Sequence, residues 1–361
     1  MNSSADRSPT HYGALDGLRG LAAILVILSH TSNVGLYLVP GLDFRGGGKP
    51  GVFLFFLLSA FLLALQLIRK GWSAFRPSAL KHYWMRRILR IYPLYFLYLL
   101  MAVLSTFAFA KLLHKPGNGL PFPLDMTGMI RHLCLLEGRE ITWSIAVEFK
   151  FYFLLPFLAA LYILFDRRHV LITLIVTGVL TVLSQYFYPQ AETLGNDTRV
   201  GPYLPVFLLG IFLASIQFRT DTRWVLNARF LRALELTAWV ALGVITFMMP
   251  AVFSAAVRPV EHSHFHKFLI QYALLWSVVL FAAVNGGGLI GRLCSLRFLR
   301  FSGMISFGLY LFHPVFLILA KHFRFGSITG AWFVLLSAFL TATVSYYVIE
   351  KPCLKSRGST T

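Results

Sequence analysis

Gly51-Val52-Phe53-Leu54-Phe55-Phe56-Leu57-Leu58-Ser59-Ala60-Phe61-Leu62 lies inside a run, 50–68, that carries no charged residue. About 20 consecutive apolar residues take an α-helix across a ~30 Å hydrocarbon core, so this run reads as a membrane span. The apolar stretch is continuous, without the period-two alternation of a membrane β-barrel strand. Working outward, nine further runs have the same character: 14–32, 88–110, 143–164, 169–188, 202–219, 231–252, 267–284, 303–321 and 328–348. The expected fold is all-α, a polytopic membrane protein with about ten transmembrane helices. The segment 120–137, interrupted by Pro121, Pro123 and Asp125, reads as a surface or re-entrant piece. Asp166-Arg167-Arg168-His169 reads as a tight charged turn.

Composition agrees. Of 361 residues, 57% are hydrophobic and only 13% charged, about half the usual soluble share. The net charge of +19 would suggest nucleic acid in a soluble chain. Here the basic residues fall between apolar runs, so topology explains them first and no nucleic-acid partner is expected. An acidic ligand is a second reason for the excess. Cys134, Cys294 and Cys353 form no CxxC pair, and neither a disulfide framework nor a zinc site is read from them. The polar stretch Met1 to Tyr12 is too short for a cleaved signal peptide, and the run after it reads as a retained span.

Taking the N-terminal side as one face, 20 Lys and Arg residues fall there and 11 on the other, with Arg19 and Lys150 inside spans. Cytoplasmic loops carry the Lys/Arg excess, so both termini are expected in the cytoplasm. The domain reading is a tail at 1–13, a membrane domain at 14–350 and a second tail at 351–361.

Ionisable residues at membrane depth are functional candidates. Arg19 and His30 lie eleven residues apart, about three turns or ~16 Å, and eleven steps return to nearly the same helix face. One stripe therefore carries a cation near its inner end and an imidazole near its outer end. That suits an extended ligand with an anionic end inside and a reactive end outside. The plainer account has Arg19 snorkelling to lipid phosphate and His30 as an interfacial histidine. Glu148 enters from the outer side at a depth similar to His30, where a carboxylate can orient an imidazole. Arg87 and Arg90, three apart in the loop Lys81 to Pro93, form a phosphate clamp or a positive cluster touching membrane lipid. His313 precedes Pro314, whose missing N–H breaks the local ladder and makes room for a polar cavity. His262, His264 and His266 alternate on an outer loop, a weak pattern for a metal, read as structural or incidental.

Taken together these residues resemble acyltransferase family 3 of membrane proteins. Arg19 to His30 is similar to the family's Arg-x10-His motif, and Gly51 to Leu62 to its second-span signature. Arg87-Ile88-Leu89-Arg90 resembles its RxxR segment, and Trp143-Ser144 through Glu148 its tryptophan-serine-glutamate motif. Tyr310-Leu311-Phe312-His313-Pro314 and Val348-Ile349-Glu350-Lys351-Pro352 resemble its late motifs. Phe53 stands where many relatives carry aspartate, and Ala60 where they carry glycine. No appended extracytoplasmic esterase-like domain is read in this sequence, so relay to one is not expected.

The resemblance implies an enzyme, an O-acyltransferase moving an acyl group, usually acetyl, to a hydroxyl of a carbohydrate or glycolipid acceptor. The donor implied is acetyl-CoA or another acyl-CoA, as co-substrate, with no metal required. His30 is then the expected general base and Glu148 its orienting carboxylate, with a transient acyl-histidine as the alternative. Arg19, Arg87 and Arg90 are expected to hold the donor. Ser144, Tyr152 and His313 are candidates for oxyanion or substrate contacts. A transporter or flippase, or acylation of a lipid or small molecule at the cytoplasmic face, suits the same composition.

Overall fold

In lipid a chain must satisfy its backbone polar groups internally, and every apolar run of this sequence does so as helix. The computed structural model describes residues 13–112, 114–166, 170–222 and 226–355. The stretch 1–12, most of the expected charged turn (167–169) and residues 356–361 lie outside the described residues. In chain order the helices are α1 (Gly13–Asn33), α2 (Gly48–Lys70), α3 (Pro77–Lys111), α4 (Met126–Leu133), α5 (Thr142–Asp166), α6 (Val170–Phe187), α7 (Leu204–Thr222) and α8 (Ala228–Phe247). There follow α9 (Pro250–Ala256), α10 (Leu269–Asn285), α11 (Leu289–Cys294), α12 (Arg297–Met304), α13 (Ser306–His322), α14 (Ser327–Ser345) and α15 (Lys351–Lys355). No strand occurs among the described residues.

Among the described residues, eight helices are long and apolar enough to cross a membrane: α1, α2, α3, α5, α6, α7, α8 and the helix that begins with α14. α12 and α13 form one pair bent by 78°, and α10 is a shorter apolar helix. Together these match the ten predicted runs. Their boundaries differ in instructive ways. α3 starts at Pro77, a residue suited to the first helical position, so the segment expected as a loop around Arg87 and Arg90 is helical. The run 231–252 divides, because α8 ends at Phe247 and Pro250 opens α9. The segment 120–137 holds α4, capped by the Asp125 carboxylate, which accepts from the Gly128 N–H at 2.7 Å. Pro314 does not break its helix: α13 runs through it, and the bend falls earlier, at Ile305.

α2 is the most enclosed span, with Phe53, Leu54, Leu57, Leu58, Ala60 and Phe61 fully buried. Phe53 packs on the Tyr272 ring, so this position of the second span makes an apolar contact. The outward sides of α6, α8 and α14 expose Val182, Phe187, Leu236 and Leu340, surface suited to lipid. α1 and α12 meet backbone to backbone. A Cβ on Gly20 would lie 2.2 Å from the Leu299 carbonyl oxygen, and one on Gly303 1.8 Å from that of Asp16. Small residues permit such close helix approach, and here they bring Arg297 and Arg300 beside Arg19.

Candidate functional site

The candidate residues distribute over two cavities that meet at α2. The first, about 90 Å³, is lined by Arg19, Arg87, Arg90, Ser144, Glu148 and Tyr152, among others. The second, about 260 Å³, is lined by Ser29, His30, Asn33, Gly48, Lys49 and Glu140, with other residues. We call them the arginine chamber and the histidine chamber. Val52 and Tyr310 belong to the walls of both. Tyr310 is fixed there, its hydroxyl 2.7 Å from Ser144 Oγ and donating to the Ile141 carbonyl at 3.0 Å.

In the arginine chamber three guanidiniums surround one carboxylate. Glu148 accepts from Ser59 Oγ and from the Tyr152 hydroxyl. Arg90 lies 3.3 Å from Glu350, a carboxylate only 1% exposed. The Arg87 Nε is buried without a hydrogen-bond partner, and its guanidinium stands over the Tyr152 ring at 6.0 Å. A buried donor left unpaired is costly, so an incoming anion has a ready partner here. A third cavity, about 480 Å³, shares Arg19 and Arg90 with this chamber and adds Arg297, Arg300, Asp16 and Tyr346. Sequence reasoning counted Arg297 and Arg300 only as topological charges; the glycine pattern of α1 and α12 was the signal that would have joined them to Arg19.

Glu148 does not touch His30. Its depth along the span resembled that of His30, but the two side chains face different chambers. The partner of His30 is His313, whose Nε2 lies 2.8 Å from His30 Nδ1. His313 is fully buried, and its Nδ1 lies 3.2 Å from the Leu309 carbonyl oxygen. With both rings neutral, these contacts leave one tautomer for each. A carbonyl only accepts, so His313 Nδ1 carries the hydrogen and donates it. The neutral His313 Nε2 then holds a lone pair, so His30 Nδ1 must be the donor across the 2.8 Å contact. The hydrogen of neutral His30 is thereby committed, and its Nε2 carries the lone pair. That Nε2 lies beside Gly48, at the histidine chamber.

Lys49 was missed as a site residue because it stands one position before an uncharged run. It is 8% exposed, donates to the Thr193 carbonyl at 2.6 Å and lies 4.3 Å from the Trp143 ring centroid. His262 and His266 join the same chamber wall. The three loop histidines form no metal-holding group among the described residues. His266 donates from Nε2 to the Gly46 carbonyl at 3.2 Å. Burial, and next the charge of Lys49, pushes its imidazole down to about 4, so it stays neutral near pH 7.

The model of a family described as an acyltransferase domain matches residues 12–350. Among characterised proteins the chain is similar to O-acetyltransferase OatA of Staphylococcus aureus, 25% identical over 96% of this chain and 58% of that protein. Peptidoglycan O-acetyltransferase OatA of Listeria monocytogenes is 24% identical over 99% of this chain and 58% of that protein. The putative peptidoglycan O-acetyltransferase YrhL of Bacillus subtilis is 25% identical over 95% and 55%. The chain thus spans somewhat over half the length of these curated relatives. No solved structure matches it.

Proposed function

The chain belongs to the acyltransferase family, whose model spans residues 12–350, and we propose that it moves an acetyl group from cytoplasmic acetyl-CoA to a hydroxyl of a carbohydrate or glycolipid acceptor at the extracytoplasmic face. The names of the relatives support a glycan acceptor of the peptidoglycan type. The Lys/Arg bias supports the assignment of sides, with the arginine chamber inward and the histidine chamber outward. The observation that carries the reading is the junction itself: a cluster of guanidiniums and an imidazole with a free lone pair lie on either side of one wall, Val52 and Tyr310.

In this reading the phosphates of the donor meet Arg297 and Arg300 first, then Arg19, Arg87 and Arg90. Guanidiniums suit phosphate because they donate bidentately. The thioester end reaches the Val52–Tyr310 wall. His30 Nε2 takes the proton of the acceptor hydroxyl as it attacks, and His313 holds the ring in the required tautomer. Glu148, held by Ser59 and Tyr152, offsets the positive charge of the arginine chamber. The test is transfer by the purified chain in lipid nanodiscs. Radiolabelled acetyl-CoA and muramidase-digested peptidoglycan should yield a base-labile acetyl ester on the glycan with matching CoA release. Binding of acetyl-CoA with no ester and no CoA release would reject the enzyme in favour of a carrier.

A further inference from the structure

Ser29 precedes the candidate base by one residue and does not make the back-bond that many helical hydroxyls make. Thr106, Ser277 and Ser302 each donate back to the carbonyl four residues earlier, the usual habit of a helical Ser or Thr. Ser29 is only 1% exposed, and its Oγ has no hydrogen-bond partner among the described residues. It lines the histidine chamber with His30 and Gly48.

Gly48 explains what lies in front of it. A Cβ at this position would stand 3.3 Å from Ser29 Oγ and 3.6 Å from His30 Nε2. The missing side chain therefore keeps the hydroxyl and the imidazole nitrogen together at this end of the histidine chamber, where even one added carbon would touch both. Gly48 is also the first residue of α2, and the preceding Gly47 supplies no side-chain cap. First-turn N–H groups have no acceptor within their own helix, and Pro50 has no N–H to offer. The N-terminus of this 23-residue helix thus brings partial positive charge to the same point.

We propose that the histidine chamber in front of Gly48 seats the reacting carbonyl and that Ser29 is a catalytic residue, its Oγ–H donating to the oxyanion alongside the first turn of α2. The inference rests on the acetyl-transfer reading above. The acceptor oxygen attacks the thioester carbon, forming the C–O bond; its proton passes to His30 Nε2, and the carbonyl electron pair moves onto oxygen facing Ser29. Collapse of this intermediate breaks the C–S bond. The thiolate leaves with the proton returned by the His30 imidazolium, giving the acetyl ester and free CoA.

The experiment compares Ser29→Ala and Gly48→Ala with the unaltered full chain, using acetyl-CoA and muramidase-digested peptidoglycan. It reads ester formation, acetyl-CoA affinity and the mass of the intact protein after mixing with acetyl-CoA. Removing one oxyanion donor costs about 10²–10³-fold in turnover. Ser29→Ala should show that loss with acetyl-CoA affinity within twofold, and Gly48→Ala, whose methyl would stand against Ser29 Oγ and His30 Nε2, should lose at least as much. Ser29→Ala within threefold of the unaltered chain would overturn the proposal. So would loss of acetyl-CoA binding in that variant, full activity in Gly48→Ala, or an acetyl group found covalently on Ser29. An unaltered chain that forms no ester fails the acetyl-transfer reading itself, an outcome separate from these.

Discussion

His30 Nδ1 and His313 Nε2 lie 2.8 Å apart, joining residues 283 positions apart in sequence, and the Leu309 carbonyl behind His313 sets the direction of the hydrogens along the chain. Under the proposed function, this contact makes His313 the residue that orients the imidazole, a role the sequence had suggested for Glu148. His313→Ala should lower ester formation about 10- to 100-fold, since general-base help is worth about 10²–10⁴-fold and the base itself remains. Groups acting as one unit are non-additive. The double variant with His30→Ala should therefore be no slower than His30→Ala, and a multiplied defect would show that His313 acts independently.

The arginine chamber predicts a binding defect of a different kind. Arg87→Ala removes a buried guanidinium whose Nε is unpaired in the free protein. Loss of a charge-assisted contact costs about 1.5–3 kcal/mol, so acetyl-CoA affinity measured calorimetrically should fall about 10- to 150-fold. Unchanged affinity would assign the residue to lipid contact. Arg90→Ala is the less clean variant, because it also leaves Glu350 buried without its cation.

How much of this was legible in the sequence follows from what each feature depends on. Span positions depend on local composition, and all ten runs fold as helices. The Arg19 to His30 stripe depends on one helix period, and both side chains do line cavities. The chamber each side chain faces depends on helix rotation and on the α12–α13 bend, neither of which is a local property. Glu148 and His30 therefore looked like partners by depth and are not in contact. Ser29 and Gly48 carry no motif by themselves; an orphan hydroxyl and a missing Cβ gain meaning only once α1 and α2 are seen side by side.

The loop that roofs the histidine chamber should weaken in acid. The imidazole of His266 is pushed down to about 4, by burial first and then by the charge of Lys49. An unfolded histidine binds its proton near 6.5. Between these values the unfolded segment holds more protons, so stability is complete above about pH 6.5 and falls as pH drops toward 4. The loss should reach about 3 kcal/mol by pH 4. Hydrogen exchange in 44–49 should accelerate over this window, and His266→Gln should flatten the dependence. Equal acceleration in that variant would place the acid sensitivity elsewhere.

The assignment of sides is tested by labelling. Cys134 is exposed, and Cys294 and Cys353 can be replaced by serine. With Cys134 alone, a membrane-impermeant maleimide should label intact cells from outside, as it should a cysteine placed at exposed Asn118. A cysteine at exposed Ser78 should react only after the membrane is opened. Labelling of Cys134 from the cytoplasm alone would reverse the assignment of the two chambers.

The most direct measurement of the central claim is ester formation by His30→Ala in nanodiscs, with acetyl-CoA affinity determined on the same preparation. The account predicts loss of acetyl ester by at least about 10²-fold, with donor affinity within twofold of the unaltered chain, because the proposed base is removed and the arginine chamber is left intact. Near-normal ester formation by this variant would contradict it and remove His30 from the chemistry.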